Sequence, residues 1–336
     1  NNLALEHDES VFNPYYYGQK GIWRTARSWA YQENRDQSGS KGNNTRIDRD
    51  GQFDFVPFDW DEGKSGNPNW TWASEITKYS PYGYQLENIN ALDIYSSEMY
   101  GYNNTVVTAV GSNAKYMEIA FDGFEDYKYN STLGSYSSYN GAASHGHFNF
   151  LYCDITSKLA HTGKNSIEVE EEGGFIVFTA GNSNFFYPLS KKRYVLSAWV
   201  YTKGVPKTKE GYIEVKVNNV IHKAEVTDKF MEVDGWSKIE VSFTTPPTVS
   251  SFEIKLSSHW QGPSANFDDI RISPFNGGMK TYVYNPTTLW LIAELDNLNY
   301  ATFYNYDEEG SLTQIKKETN KGIVTIKSTR NNTQKN

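Results

Sequence analysis

Side chains able to do chemistry are plentiful in this chain, but few of them fall into known catalytic patterns. Forty aspartates and glutamates stand among 336 residues. Close carboxylate pairs therefore arise by chance, and a glycosidase acid/base pair cannot be chosen from spacing alone. His145-Gly-His147, Cys153 and His161 could suggest a metal, yet no zinc-type spacing such as Cys-x-x-Cys accompanies them. No Gly-x-Ser-x-Gly elbow, Walker loop or His-Glu-x-x-His pair occurs. These absences favour a non-catalytic reading. Cys153 is the single cysteine, which excludes an internal disulfide framework. A formal net charge of −8 counts against a nucleic-acid partner, because phosphate recognition needs a basic patch. The conspicuous chemical resource is aromatic, with 25 tyrosines, 18 phenylalanines and 9 tryptophans.

The elements that must position these groups read as strands. Aromatic side chains pack well on a pleated surface, and helical periodicity is hard to find. The best short helical candidate, residues 88–97, reads as a turn-rich connector. From about Ile167 onward, short runs alternate or stay apolar between turn signals: residues 166–170, 174–178, 194–201, 211–217, 221–226, 236–243, 251–256 and 265–272. Asn218-Asn219 supplies a hairpin turn pair. Even spacing without intervening helices indicates an all-β fold with a central β-sandwich. Residues 1–115 are rich in Trp, Tyr, Asn and Gly, carry a polar stretch at 32–50, and read as an irregular β region. Near the end, Tyr282-Val-Tyr284-Asn285 recurs 22 residues later as Tyr304-Asn-Tyr306-Asp307, with Asp296 aligned to Glu318. Each unit reads as a β-hairpin that must stack on a neighbour to bury its apolar face. No apolar run approaches the roughly 20 residues of a membrane span, so a soluble chain is expected. Asn1 is followed by no basic and apolar leader, which suggests a processed or partial product of something longer.

Three segments carry family resemblances. Tyr304-Asn-Tyr-Asp307-Glu-Glu-Gly310-Ser-Leu312-Thr resembles the YD repeat of Rhs-type bacterial proteins, over roughly residues 279–330. It departs from that pattern at Asn285 and at Ser311, where arginine is usual. Asn13-Pro14-Tyr15 through Gly21-Ile-Trp23-Arg24, with Thr77-Lys-Tyr-Ser-Pro-Tyr-Gly-Tyr84, looks like the region preceding such repeats in very large secreted proteins of the Bacteroidota. Phe121-Asp-Gly-Phe-Glu125-Asp-Tyr127, Ala160-His-Thr-Gly-Lys164-Asn-Ser166 and Phe267-Asp268-Asp269-Ile-Arg-Ile272 resemble the landmarks of jelly-roll carbohydrate-binding modules.

The last resemblance implies a jelly roll over residues 116–275, and the first implies two YD-type hairpin repeats, which with a polar tail occupy 276–336. It also implies a structural calcium ion, because the first strand, the Gly-Lys turn and the last strand meet at one edge of such modules. Glu125, the carbonyl of Lys164, and Asp268 or Asp269 would supply the oxygens that this hard cation requires. Adjacent strand residues point to opposite faces, so only one of the two aspartates is expected inward, with Asp268 preferred. Sugars in such modules stack on aromatic rings, and the candidates are Trp260, Tyr187, Tyr201 and Trp199, with Trp236 expected in packing. Trp260 lies in the polar loop at 257–262 and is the strongest of these. The resulting expectation is a non-catalytic glycan-binding or adhesin-like segment of a large secreted or cell-surface bacterial protein. Its partner would be a glycan or a surface protein. The alternatives are a purely structural end segment without a ligand, or a glycoside-active enzyme whose carboxylate pair only the fold would reveal.

Overall fold

The structure, a computed structural model, describes residues 15, 20–32, 46–48, 51–53, 56–60, 69–130, 135–138, 147–148, 154–170, 174–176, 186–205, 210–225, 232–259, 262–319 and 322–329. The chain is all-β. Strands β1 (Arg27–Tyr31), β2 (Arg46–Asp48), β3 (Gly51–Phe53), β4 (Trp70–Tyr79), β5 (Gln85–Asn90), β6 (Tyr95–Gly101) and β7 (Val106–Ser112) come first. They are followed by β8 (Ala120–Asp122), β9 (Tyr127–Asn130), β10 (Ser135–Ser138), β11 (Asp154–Thr156), β12 (Ser166–Val169) and β13 (Gly174–Ile176). Next are β14 (Arg193–Tyr201), β15 (Tyr212–Val217), β16 (Val220–Glu225), β17 (Glu232–Val233), β18 (Trp236–Thr244), β19 (Phe252–Ser257) and β20 (Ala265–Pro274). The last five are β21 (Gly278–Tyr284), β22 (Leu291–Leu295), β23 (Ala301–Tyr306), β24 (Leu312–Thr319) and β25 (Gly322–Ser328).

The central strands make the expected jelly-roll sandwich. One sheet runs β11-β12-β20-β14-β18-β17, with β8 also paired to β20, and the other runs β13-β19-β15-β16. Alternation on β14 explains the packing: Tyr194, Leu196, Ala198 and Val200 enter the core, where they meet Ile213, Val215 and Ile254 of the opposing sheet. Each fully buried aliphatic side chain there contributes about 1.5–3 kcal/mol. The other face of β14 carries Ser197, Trp199 and Tyr201, and that face meets the rest of the chain.

The regions on either side of the sandwich pair with each other. They form a single sheet in the order β1-β4-β5-β6-β7-β21-β22-β23-β24-β25, joined where Ser112 of β7 stands opposite Gly278 of β21. The sandwich is thus inserted into an antiparallel meander, with its entry and exit side by side. Residues 70–112 are regular hairpins, whereas the sequence suggested irregular β structure. Register shifts between Ile76 and Lys78 and between Met99 and Tyr100 break the period-2 pattern that would have revealed them.

One turn recurs along the meander at Ser80, Asn90, Asp296 and Asp307. In each, the backbone N–H of the first residue donates to the carbonyl four positions on: Tyr84, Ile94, Tyr300 and Ser311. The N–H of that fifth residue donates back to the first side chain, at 2.8–3.1 Å. The fourth residue is left-handed in every case, as Gly83, Asp93, Asn299 and Gly310. Short polar side chains and Gly, Asn or Asp at these two positions are what such a hairpin loop demands.

Candidate functional site

Turn Asp296–Tyr300 sits on the outer face of the seven-stranded sheet. Asn299, fully buried, donates from Nδ2 to the Asp269 carbonyl at 3.0 Å, and its own carbonyl accepts the Trp199 indole N–H at 2.7 Å. Lys238 donates to the Leu298 carbonyl, and Arg271 donates to the carbonyls of Asp296 and Met279. Tyr300 packs edge-on against Trp199. Trp199, a candidate for sugar stacking, is therefore fully buried between the two sheets and closed to a ligand.

Beside this seam lies a buried histidine. The His161 ring is flat on Trp199, with centroids 4.0 Å apart, and edge-on to Trp236. Its Nδ1 meets Asp269 and its Nε2 meets Glu318 of β24, each at 2.7 Å. Burial alone pushes the imidazole pKa down, but attraction to Glu318 and hydrogen bonds to both carboxylates outweigh it and hold the pKa at about 9. The ring is thus a cation at neutral pH, clamped between the sandwich and the meander. The second Glu318 oxygen accepts from the Ala301 N–H at 2.6 Å.

Both adjacent aspartates meet the same loop, a correction to the alternation expected for β20. Opposite β14, Ser197 pairs with Arg271 but Trp199 pairs with Asp268, so β20 carries one extra residue; Asp269 adopts a φ of 47°. This bulge turns both carboxylates to one side, and both are fully buried. Asp268 accepts the backbone N–H groups of His161, Thr162 and Asp269, and Asp269 accepts the Thr162 hydroxyl. Burial and the neighbouring Asp269 charge push the Asp268 pKa up.

Glu125 and Lys164 complete the expected calcium set, and the structure brings them together in another way. One Glu125 oxygen accepts the backbone N–H groups of Lys164 and Asn165, at 2.5 and 2.6 Å. A Cβ on Gly163, whose φ is +64°, would lie 2.4 Å from that carboxyl group, so glycine is required for the loop to close over it. The turn presents N–H donors here, whereas calcium needs six to eight oxygens turned inward. No group of three or more His, Cys, Asp or Glu is placed to hold a metal ion among the described residues.

A cleft of about 700 Å³ opens where the walls diverge from the His161–Glu318 contact. On the sandwich side it is lined by Tyr201, Val233 and Trp236; on the meander side by Phe303, Asn305, Gln314, Lys316 and Thr325. Gly235, with φ +93°, lets the loop before β18 press against Tyr201, and a Cβ there would stand 2.8 Å from that ring. Tyr201 is also edge-on to Trp236, so its orientation is fixed from two sides. Opposite, Asn305 donates to Gln314 at 3.2 Å, and Gln314 donates to Thr325 at 3.1 Å. This ladder leaves amide and hydroxyl groups free to pair with a ligand that both donates and accepts.

Tyr201 is the sequence candidate that the cleft contains, together with Trp236. Tyr187 is 42% exposed but lies outside the cleft lining. Trp260, Cys153 and His145 lie outside the described residues. His147 is buried, with Nδ1 at 2.7 Å from the Ile119 carbonyl, and burial lowers its pKa to about 4. Glu318 and the amide ladder escaped the sequence reading as site residues, and His161 entered it only as a candidate metal ligand. His161 stood inside a flagged motif, but Glu318 is 157 positions away and nothing local links them.

No protein-family model matches the chain, and no curated protein matches it. Among solved structures, the CBM22-1 xylan-binding domain from Paenibacillus barcinonensis is 15% identical, with 47% of this chain and 93% of that one covered and a TM-score of 0.29. A Family 16 Carbohydrate Binding Module-2 is 18% identical, covering 40% and 96%, with a TM-score of 0.28. A cyclase from Fischerella sp. TAU is 13% identical, covering 53% and 96%, with a TM-score of 0.26. Likeness at these scores carries no argument about what the chain binds.

Proposed function

We propose that the chain is a non-catalytic glycan-binding segment of a secreted or cell-surface bacterial protein, and that its site is the cleft between sandwich and meander. The observation that carries this reading is the composition of the two walls. Tyr201 stands on one side with an apolar face, and a hydrogen-bonding ladder of Asn305, Gln314 and Thr325 faces it. Sugar rings present that same combination, a C–H face for stacking and hydroxyls for pairing. The volume lies within the roughly 300–1,000 Å³ of small-ligand sites. Glu318 supports binding over hydrolysis, because both of its oxygens already hold protein donors. The resemblance of the C-terminal hairpins to YD repeats supports a setting within a larger repeat-bearing protein, and the adhesin-like role belongs to that same proposal.

A glycan-array screen of the whole chain, repeated with Tyr201→Ala and Gln314→Ala, tests the assignment. Binding by the parent chain that falls about five- to hundredfold in Tyr201→Ala and about two- to tenfold in Gln314→Ala supports it, as expected for lost stacking of about 1–3 kcal/mol and a lost polar pair of about 0.5–1.5 kcal/mol. Binding that survives both substitutions would place the ligand elsewhere.

A second reading, a structural segment with no ligand, rests on one specific observation. The outer face of the seven-stranded sheet is closed by turn Asp296–Tyr300, so Trp199 serves the seam between the sheets. An array on which no glycan binds would favour this reading.

A further inference from the structure

We infer that the cleft selects an anionic sugar, one bearing a carboxylate or sulfate, through the ammonium group of Lys316. The inference rests on the glycan reading of the same cleft and names the ligand class. Lys316 lies on β24 within the cleft lining, half-buried, and has no ion-pair or hydrogen-bond partner among the described residues. The other charged side chains of the lining are His161, Glu318 and Asp234. His161 and Glu318 face each other at 2.7 Å and are spent on that contact, with Asp269 closing the far side of the ring. Asp234 is exposed at the left-handed turn before β18, where water screens it. Lys316 is therefore the charge left to a ligand. An ammonium on a flexible stem pairs with an anionic group as a point charge, and the neighbouring amides of Asn305 and Gln314 supply the hydroxyl contacts.

The chain as a whole is acidic, with a formal net charge of −8. Attraction of an anionic glycan must therefore be local to this wall, and added salt should weaken it.

Calorimetric titration of the whole chain distinguishes the possibilities with three probes of equal length: an oligogalacturonate, a sulfated galactan oligomer and a neutral galactan oligomer. The expected result is tighter binding of at least one anionic probe than of the neutral one. That binding should weaken about ten- to hundredfold in Lys316→Met, persist in Lys316→Arg and fall with ionic strength. The sugar it prefers, uronate or sulfated, identifies the anion. Equal affinity for the neutral probe, or unchanged anionic binding in Lys316→Met, overturns the inference while leaving the glycan reading standing. Failure of all three probes, with failure on the array, overturns both. Lys316→Gln serves in place of Lys316→Met should that variant fail to fold, since Gln keeps a polar group at this half-buried position.

Discussion

Replacing His161 with glutamine is the sharpest test of how the two halves are joined. The imidazolium lies between Asp269 of the sandwich and Glu318 of the meander, with every side chain involved almost fully buried. Its removal leaves two carboxylates in a dry seam with at most one amide to share, and breaking a buried pair in this way costs about 3–5 kcal/mol. The pH dependence gives an independent figure. The group's ordinary pKa is 6.5 and its folded value is about 9, which at about 1.36 kcal/mol per unit amounts to about 3 kcal/mol. A basic group raised on folding contributes this stability fully below pH 6.5 and loses it as pH rises through 9. Guanidinium unfolding followed by tryptophan fluorescence reports on the seam directly, because Trp199 and Trp236 both touch the ring. The parent chain should lose stability between pH 6.5 and 9, and His161→Gln should be weaker at pH 6 and lack that decline. A variant that loses less than about 1 kcal/mol at pH 6, or keeps the parent's slope, would refute the clamp.

Other outcomes follow from the same contacts. Glu125 is raised to about 7, chiefly by burial and against its backbone N–H partners, so its contribution is present below about pH 4.5 and is lost as pH rises through 7. Glu125→Gln should then remove that decline while keeping one acceptor oxygen, as urea titrations at pH 4 and 8 would read. Trp199→Ala should cost about 3–5 kcal/mol in the same assay, as for large buried aromatics generally, and leave glycan affinity unchanged if the ring serves the seam alone. Melting scans with calcium and with chelator should coincide, since the Glu125, Asp268 and Asp269 oxygens are held by protein donors; a rise of several degrees with calcium would show that the cluster rebuilds around an ion. Gly163→Ala should destabilise by about 1–3 kcal/mol, because glycine's left-handed φ and the nearby Glu125 carboxyl both oppose a Cβ.

The sequence by itself determined the strands of the sandwich and the identity of its turns. The apolar run of residues 194–201 and the alternation of 211–217 are local properties, and β14 and β15 form where they lie. The hairpin at Asn285 and the one at Glu309-Gly310 were legible for the same reason, since turn chemistry resides in two or three neighbouring residues. The meander's N-terminal hairpins were not, because bulges at Ile76 and Met99 scramble the period that marks a strand. Only the tertiary structure decided that the chain's two flanks share one sheet and that its turn at Asp296 covers Trp199. It alone decided that Asp268 and Asp269 face one loop, because the bulge that turns them is set by the pairing of β20 with β14. The same holds for the cleft. Tyr201 could be named from its type, but Gln314, Lys316 and Thr325 oppose it only after β24 and β25 fold back, more than 100 residues later in the chain. Local patterns encode which groups exist and which way a strand presents them; which groups meet depends on long-range packing, and a sequence read in one dimension carries no direct record of that.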